Sequence, residues 1–269
     1  MIAHYALGGG LGHLVRARAV AAALGDEDAV LLTASPHAGD ARVTGGLPVE
    51  RVPDRLERDP AALRGWIEDL QPDELVIDAF PGGIVGELCG FDAAPCRHVA
   101  RRLRWGRYAR RLDGPLPRFE ATFVLEPLLE EHRCALEAAS DRLAALELPP
   151  HSSSPPLAAT EGPHWIVVHA GPEDEVAELI LYARERMTAE GSAAELVVIS
   201  PSPPPPLPVE ALWLDAHPAA AYFDAAERIV TAAGFNAMRE AAPHAAKHHP
   251  VPLPRPLDDQ YARAASRGR

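Results

Sequence analysis

Short apolar runs, each too brief for a buried helix, recur along the chain at 2–7, 29–33, 48–52, 74–78, 97–100 and 121–125. Runs of this length, bounded by glycine, proline and aspartate, read as strands buried on both faces of a parallel sheet with helices between them. The helix ends carry their own signals. Gly25 stands where the alanine-rich segment 14–24 must stop, a C′ position that takes a left-handed backbone. Asp59-Pro60 supplies a carboxylate cap followed by proline at the first helical position and predicts a helix running to Leu70. Helical pattern also fills 128–146.

Residues 148–156, rich in proline and serine, suit neither helix nor strand and read as a linker. Beyond them the alternation restarts with a strand at 164–169, a helix at 173–190 stopped by Gly191, and a strand at 195–200. Shorter strands are predicted at 212–214, 229–231 and 251–253. The pattern predicts an α/β protein of two Rossmann-like halves: an N-terminal domain 1–150, a linker 151–163 and a C-terminal domain 164–269.

Composition narrows the functional classes. A net charge of -12 and a pI near 5.4 argue against a nucleic-acid partner, which requires a basic surface to displace counterions from phosphates. Cys89, Cys96 and Cys134 lack metal-ligand spacing and fit a reducing compartment, and no run reaches the length of a membrane span, so a cytoplasmic protein is expected, peripheral to a membrane at most. The run from Arg101 to Arg111 stands out in so acidic a chain: either a solvated helix face, or a contact for anionic membrane in which Trp105 and Tyr108 rest on the interface. The proline run 201–206 reads as a spacer loop.

Two stretches carry candidate chemistry. Gly8-Gly9-Gly10-Leu11-Gly12-His13 lies between the first strand and the first helix, where backbone N–H groups and the absence of Cβ atoms suit close approach of an anionic ligand. It is not the dinucleotide fingerprint, because His13 stands where the last glycine would be and no acidic ribose partner follows. Arg16 lies on the same helix face as His13, so both are expected at one crevice. Asp78-Ala79-Phe80-Pro81-Gly82-Gly83 closes another strand at the sheet edge where ligands bind in open α/β folds, and Asp78 is either a site residue or a turn cap.

The second half holds Ala233-Gly234-Phe235-Asn236-Ala237-Met238-Arg239-Glu240, then Pro252-Leu253-Pro254, then Asp258-Asp259-Gln260. This order, with the glycine loop and His13 in the first half, resembles the GT-B fold of nucleotide-sugar glycosyltransferases. The N-terminal loop is similar to that of the enzymes adding N-acetylglucosamine to the lipid-linked peptidoglycan precursor. Gly10-Leu11-Gly12-His13-Leu14-Val15-Arg16 is also similar to the nucleotide-sugar hydrolase of the pseudaminic acid pathway.

The resemblance implies a metal-independent transferase with a UDP-linked sugar donor in the cleft between domains. It implies His13 as general base or acceptor-orienting group, Gly9, Gly10, Gly12 and Arg16 as the acceptor or phosphate loop, and Gly171, Gly234, Asn236, Glu240, Asp259 and Gln260 at the donor. Gly234 and Asn236 would face the diphosphate, Glu240 the ribose, and Asp259 with Gln260 the sugar hydroxyls. The acceptor it implies is a lipid-linked or cell-envelope glycan; hydrolysis of the donor and binding without turnover are the alternatives. The likeness breaks at Ala232, where many relatives place a phosphate-binding histidine, and along the polar stretch 241–250, where they carry an apolar lead-in to a strand.

Overall fold

The computed structural model describes residues 1–8, 10–149 and 157–266, so Gly9 and most of the proline- and serine-rich linker lie outside the described residues. The chain forms two compact units. Met1–Pro149 with Pro256–Asp259 make the first, and Pro150–Arg255 with Gln260–Arg269 make the second.

In the first unit the chain order is β1 (Ile2–Tyr5), α1 (Leu11–Leu24), β2 (Ala29–Thr33), α2 (Ala41–Thr44), β3 (Val49–Arg51), α3 (Pro60–Asp69), β4 (Glu74–Asp78), β5 (Cys96–Ala100), α4 (Trp105–Tyr108), β6 (Phe119–Val124), α5 (Glu130–Ala139) and β7 (Leu143–Ala145). The strands pair in parallel in the order β3-β2-β1-β4-β5-β6-β7. From β1 the chain winds outward through β2 and β3, then returns to β4 and winds the other way. The carboxyl ends of β1 and β4 therefore flank the point where winding reverses, the crevice that ligands use in open α/β sheets.

The local signals act as chemistry dictates. Gly25 takes φ 74° and ends α1, and Asp59 accepts a hydrogen bond from the Ala62 N–H at 3.0 Å ahead of Pro60. Leu31, Leu63, Ile67, Leu75 and Ile77 are wholly buried, each contributing roughly 1.5–3 kcal/mol through burial.

The second unit runs β8 (His164–Val168), α6 (Glu173–Glu190), β9 (Glu195–Ile199), β10 (Leu212–Leu214), β11 (Arg228–Ala232), α7 (Phe235–Glu240), β12 (His248–Val251) and α8 (Gln260–Ala265). Its five strands are parallel in the order β10-β9-β8-β11-β12, so winding reverses between β8 and β11. Trp165, Val167, Leu179 and Val198 form its core, and Gly191 ends α6 with φ 63°.

Several expectations are corrected. The helix expected over 128–146 is α5 alone, Glu130–Ala139; Ser140 is extended, its hydroxyl meets Thr122 at 2.8 Å, and the chain enters β7 beside β6. Pairing with a neighbouring strand overrides the helical pattern there. The last strand begins at His248, ahead of the expected 251, because its polar start is satisfied inside the sheet: His248 Nε2 meets Thr231 Oγ1 at 2.8 Å. The expected C-terminal domain 164–269 is interrupted where Pro256–Asp259 joins the first unit, with Leu257 buried and Asp258 bridged to Leu103. In the basic run Trp105 and Tyr108 are buried, so these aromatics are not available to rest on a membrane interface. Arg101 pairs with Asp258, while Arg107, Arg110 and Arg111 are exposed. No helix of the described residues is long and apolar enough to cross a membrane.

Candidate active site

At the reversal point of the first sheet, α1 begins at Leu11 with Gly10 as its cap, so Gly12, His13 and Arg16 lie on its first turns. Gly8 is the glycine that shape demands. A Cβ there would lie 2.5 Å from His13 Cδ2, so the imidazole rests directly on the backbone. A Cβ at Gly10 would meet nothing within 4 Å.

Asp78, at the carboxyl end of β4, accepts from both neighbours. His13 Nδ1 lies 2.7 Å from Asp78 Oδ2, and Arg16 donates through Nε and Nη2 at 2.5 Å to the two carboxylate oxygens. Arg16 is buried and forked onto Asp78, its planar guanidinium matched to the carboxylate. Asp78, left open by sequence as site residue or cap, is the partner that orients His13.

The charges set the proton states. Burial opposes ionisation of Asp78, yet the Arg16 charge and the bonds from His13 and Arg16 hold its carboxyl well below the usual range. Burial lowers the His13 pKa, and the cations Arg16 and Arg101 lower it too, against the pull of Asp78. His13 is therefore neutral at pH 7. With Asp78 ionised, Nδ1 carries the proton toward it, and the lone pair lies on Nε2.

The turn after Asp78 walls this site. Ala79 takes φ 65°, uncommon without glycine, and Phe80 folds back so that its ring stacks 6.1 Å from that of His13. The turn is pinned beneath: Glu87 accepts from Tyr5 Oη at 2.6 Å and from the Ile84 and Val85 N–H groups, and Tyr108 bridges the Gly82 N–H and the Gly83 carbonyl, each at 2.8 Å. Glu87 and Tyr108 were not legible as site supports. The one sequence signal is Gly83, where a Cβ would sit 2.2 Å from the Glu87 carboxylate.

In the second unit, Gly171 lies in the turn between β8 and α6. A Cβ there would fall 2.3 Å from His169 Nε2, which meets Glu175 Oε2 at 2.7 Å; Glu175 in turn takes both Nη atoms of Arg255. Burial lowers the His169 pKa against the pull of Glu175, and Arg255 with His169 holds Glu175 below its ordinary value despite partial burial. His169, Glu175 and Arg255 were not singled out from sequence: His169 and Glu175 share the connection from β8 into α6, but Arg255 joins them from 80 residues on. Gly234 caps α7, which carries Asn236, and Glu240 at its end lies 3.6 Å from Arg239.

The pair expected on the sugar is divided. Asp259 belongs to the first unit and faces Arg104 at 3.8 Å, whereas Gln260 is buried in the second, its Oε1 accepting from the Leu253 N–H at 3.0 Å. The backbone N–H at the end of a strand needs an acceptor, and the amide supplies it. Among the described residues no group of three or more histidine, cysteine, aspartate or glutamate side chains is placed to hold a metal.

No family model and no curated protein matches the sequence. Solved structures do. The glycosyltransferase of kitacinnamycin superposes with a TM-score of 0.59 at 17% identity, over 99% of this chain and 83% of that one. The Streptomyces sp. SF2575 glycosyltransferase SsfS6, complexed with thymidine diphosphate, gives 0.59 at 15% identity, over 94% and 82%. The spinosyn rhamnosyltransferase SpnG, complexed with spinosyn aglycone, gives 0.60 at 14%, over 100% and 85%. The two parallel-sheet units thus share the GT-B fold of these glycosyltransferases.

Proposed function

We propose that this protein transfers a glycosyl group from a nucleoside diphosphate donor to an acceptor hydroxyl, with His13 as the general base. The observation that carries the reading is the His13–Asp78 pair at the reversal point of its sheet, in a fold shared with glycosyltransferases. The neutral Nε2 accepts the acceptor O–H proton as that oxygen bonds the anomeric carbon, and the bond from this carbon to the diphosphate breaks with its electron pair leaving on the phosphate. Asp78 keeps Nδ1–H in place and stabilises the imidazolium that forms. On the donor side Gly234, Asn236 and Glu240 keep the roles that the resemblance implies.

The test starts with thermal shifts against UDP, TDP, ADP and GDP, since a ligand of the folded state alone raises the midpoint. One of them should raise it by several degrees. The corresponding sugar donors then go to turnover assays with and without small hydroxylated acceptors. Donor consumed only when an acceptor is present supports transfer; consumption in water alone replaces this reading with hydrolysis. Absence of any shift across the nucleotides removes the donor site.

A further inference from the structure

The trio in the second unit carries an inference that rests on the donor reading above. In the sheet order β10-β9-β8-β11-β12, β11 lies between β8 and β12, and all run parallel, so their carboxyl ends share one edge. Glu175 stands in the first turn of the helix that follows β8, and Arg255 follows β12. A bond between them spans the carboxyl end of β11, where the chain passes through Ala232 and Gly234 into α7. This is the place at which the diphosphate is expected, and Ala232 offers it no polar side chain.

Three donors converge there on one carboxylate: Nη1 and Nη2 of Arg255, and Nε2 of His169. The turn is shaped for this: a Cβ at 171 would fall 2.3 Å from His169 Nε2 and 2.7 Å from Glu175 Oε2, so the bare glycine lets the imidazole and carboxylate meet in their present positions. A planar guanidinium presents the same fork to a carboxylate and to a phosphate. The side chains of Arg255 and Glu175 are 30% and 16% exposed, unlike the 4% and 5% of Arg16 and Asp78, so the partner on Arg255 can be exchanged.

We propose that Arg255 is the cation that receives the donor's diphosphate, and that the Glu175 carboxylate stands in for the phosphate when the site is empty. Binding then moves the guanidinium from one anion to another. His169 remains to donate to whichever anion occupies the place.

The proposal predicts opposite signs for two substitutions in one salt bridge. Affinities for UDP, TDP and the uncharged nucleoside uridine are measured by calorimetry at fixed ionic strength for the wild type, Arg255→Gln, Arg255→Lys and Glu175→Gln, with melting curves alongside to confirm folding. Arg255→Gln should weaken the preferred diphosphate at least tenfold, Arg255→Lys less, and Glu175→Gln should tighten it severalfold by removing the competing anion. Any uridine affinity should stay unchanged throughout. If Glu175→Gln weakens diphosphate binding as much as Arg255→Gln, the bridge is a structural strut and the proposal is overturned. It is equally overturned if folded Arg255→Gln binds like the wild type. If wild type and Glu175→Gln both bind no nucleoside diphosphate, the donor reading itself fails and takes this proposal with it.

Discussion

Each unit places a histidine, a carboxylate and an arginine at the reversal point of its sheet, and each imidazole lies on a glycine. In the first, His13 meets Asp78 through Nδ1; in the second, His169 meets Glu175 through Nε2. Asp78 sits at a strand end and Arg16 on the neighbouring helix, both buried, so neither can leave without stranding a charge. Glu175 and Arg255 are partly exposed. The same three residue types thus yield a fixed assembly that sets the proton state of an imidazole and an open one whose ion pair can be exchanged.

The largest effect should separate the two histidines. His13→Ala is expected to lower turnover by about two to four orders of magnitude with donor affinity near wild type, as for loss of a general base. His169→Ala should act mainly on diphosphate affinity. Steady-state kinetics on whichever donor the nucleotide screen selects will decide, and equal losses in turnover for both variants would erase the distinction.

Acid should also divide the units. Burial pushes the pKa of His98 down to about 3 and that of His132 down to about 4, with His132 and Arg101 respectively adding to the effect. An imidazole of ordinary pKa in the unfolded chain binds a proton that the folded state refuses. Stability from these neutral rings is therefore whole above about pH 6.5 and falls toward pH 4 by up to about 1.4 kcal/mol per pH unit for each ring. The first unit should unfold first on acidification, as followed by amide exchange, and His132→Phe should lower its acid midpoint. Loss of the second unit first would contradict this.

A smaller effect concerns Arg16. Its charge is one of the influences holding the His13 pKa down, and the neutral ring is the base, so turnover should fall as pH drops through that lowered value. Arg16→Gln strands the Asp78 carboxylate and should melt lower; in the folded variant, loss of the cation raises the His13 pKa and moves the acid limb of the rate profile to higher pH. NMR titration of the His13 ring reads the same shift without substrate, and an unmoved titration would reduce Arg16 to packing.

The smallest effect compares the glycine beds. Gly8→Ala collides with a ring tied to buried Asp78, whereas Gly171→Ala collides with a ring whose partner is partly exposed and can swing. The melting midpoint should drop further for Gly8→Ala. Equal drops would show the second trio to be as rigid as the first.

What the sequence determined by itself is local. Apolar runs marked most strands, Gly25 and Gly191 marked helix ends through the left-handed backbone they allow, and Asp59-Pro60 marked a helix start, because caps and strand burial act over a few residues. His13 was legible as chemistry from the glycines before it. Tertiary structure decided what lies far apart in the chain. Asp78 finds His13 across 65 residues and Arg255 finds Glu175 across 80, contacts that exist only once parallel strands bring their carboxyl ends to one edge. It also turned Gln260 inward to a backbone N–H, buried Arg16 on Asp78, and made a strand of Leu143–Ala145 against its helical pattern. A buried polar group takes the partner the fold supplies, and the cost of leaving it unpaired exceeds any local preference.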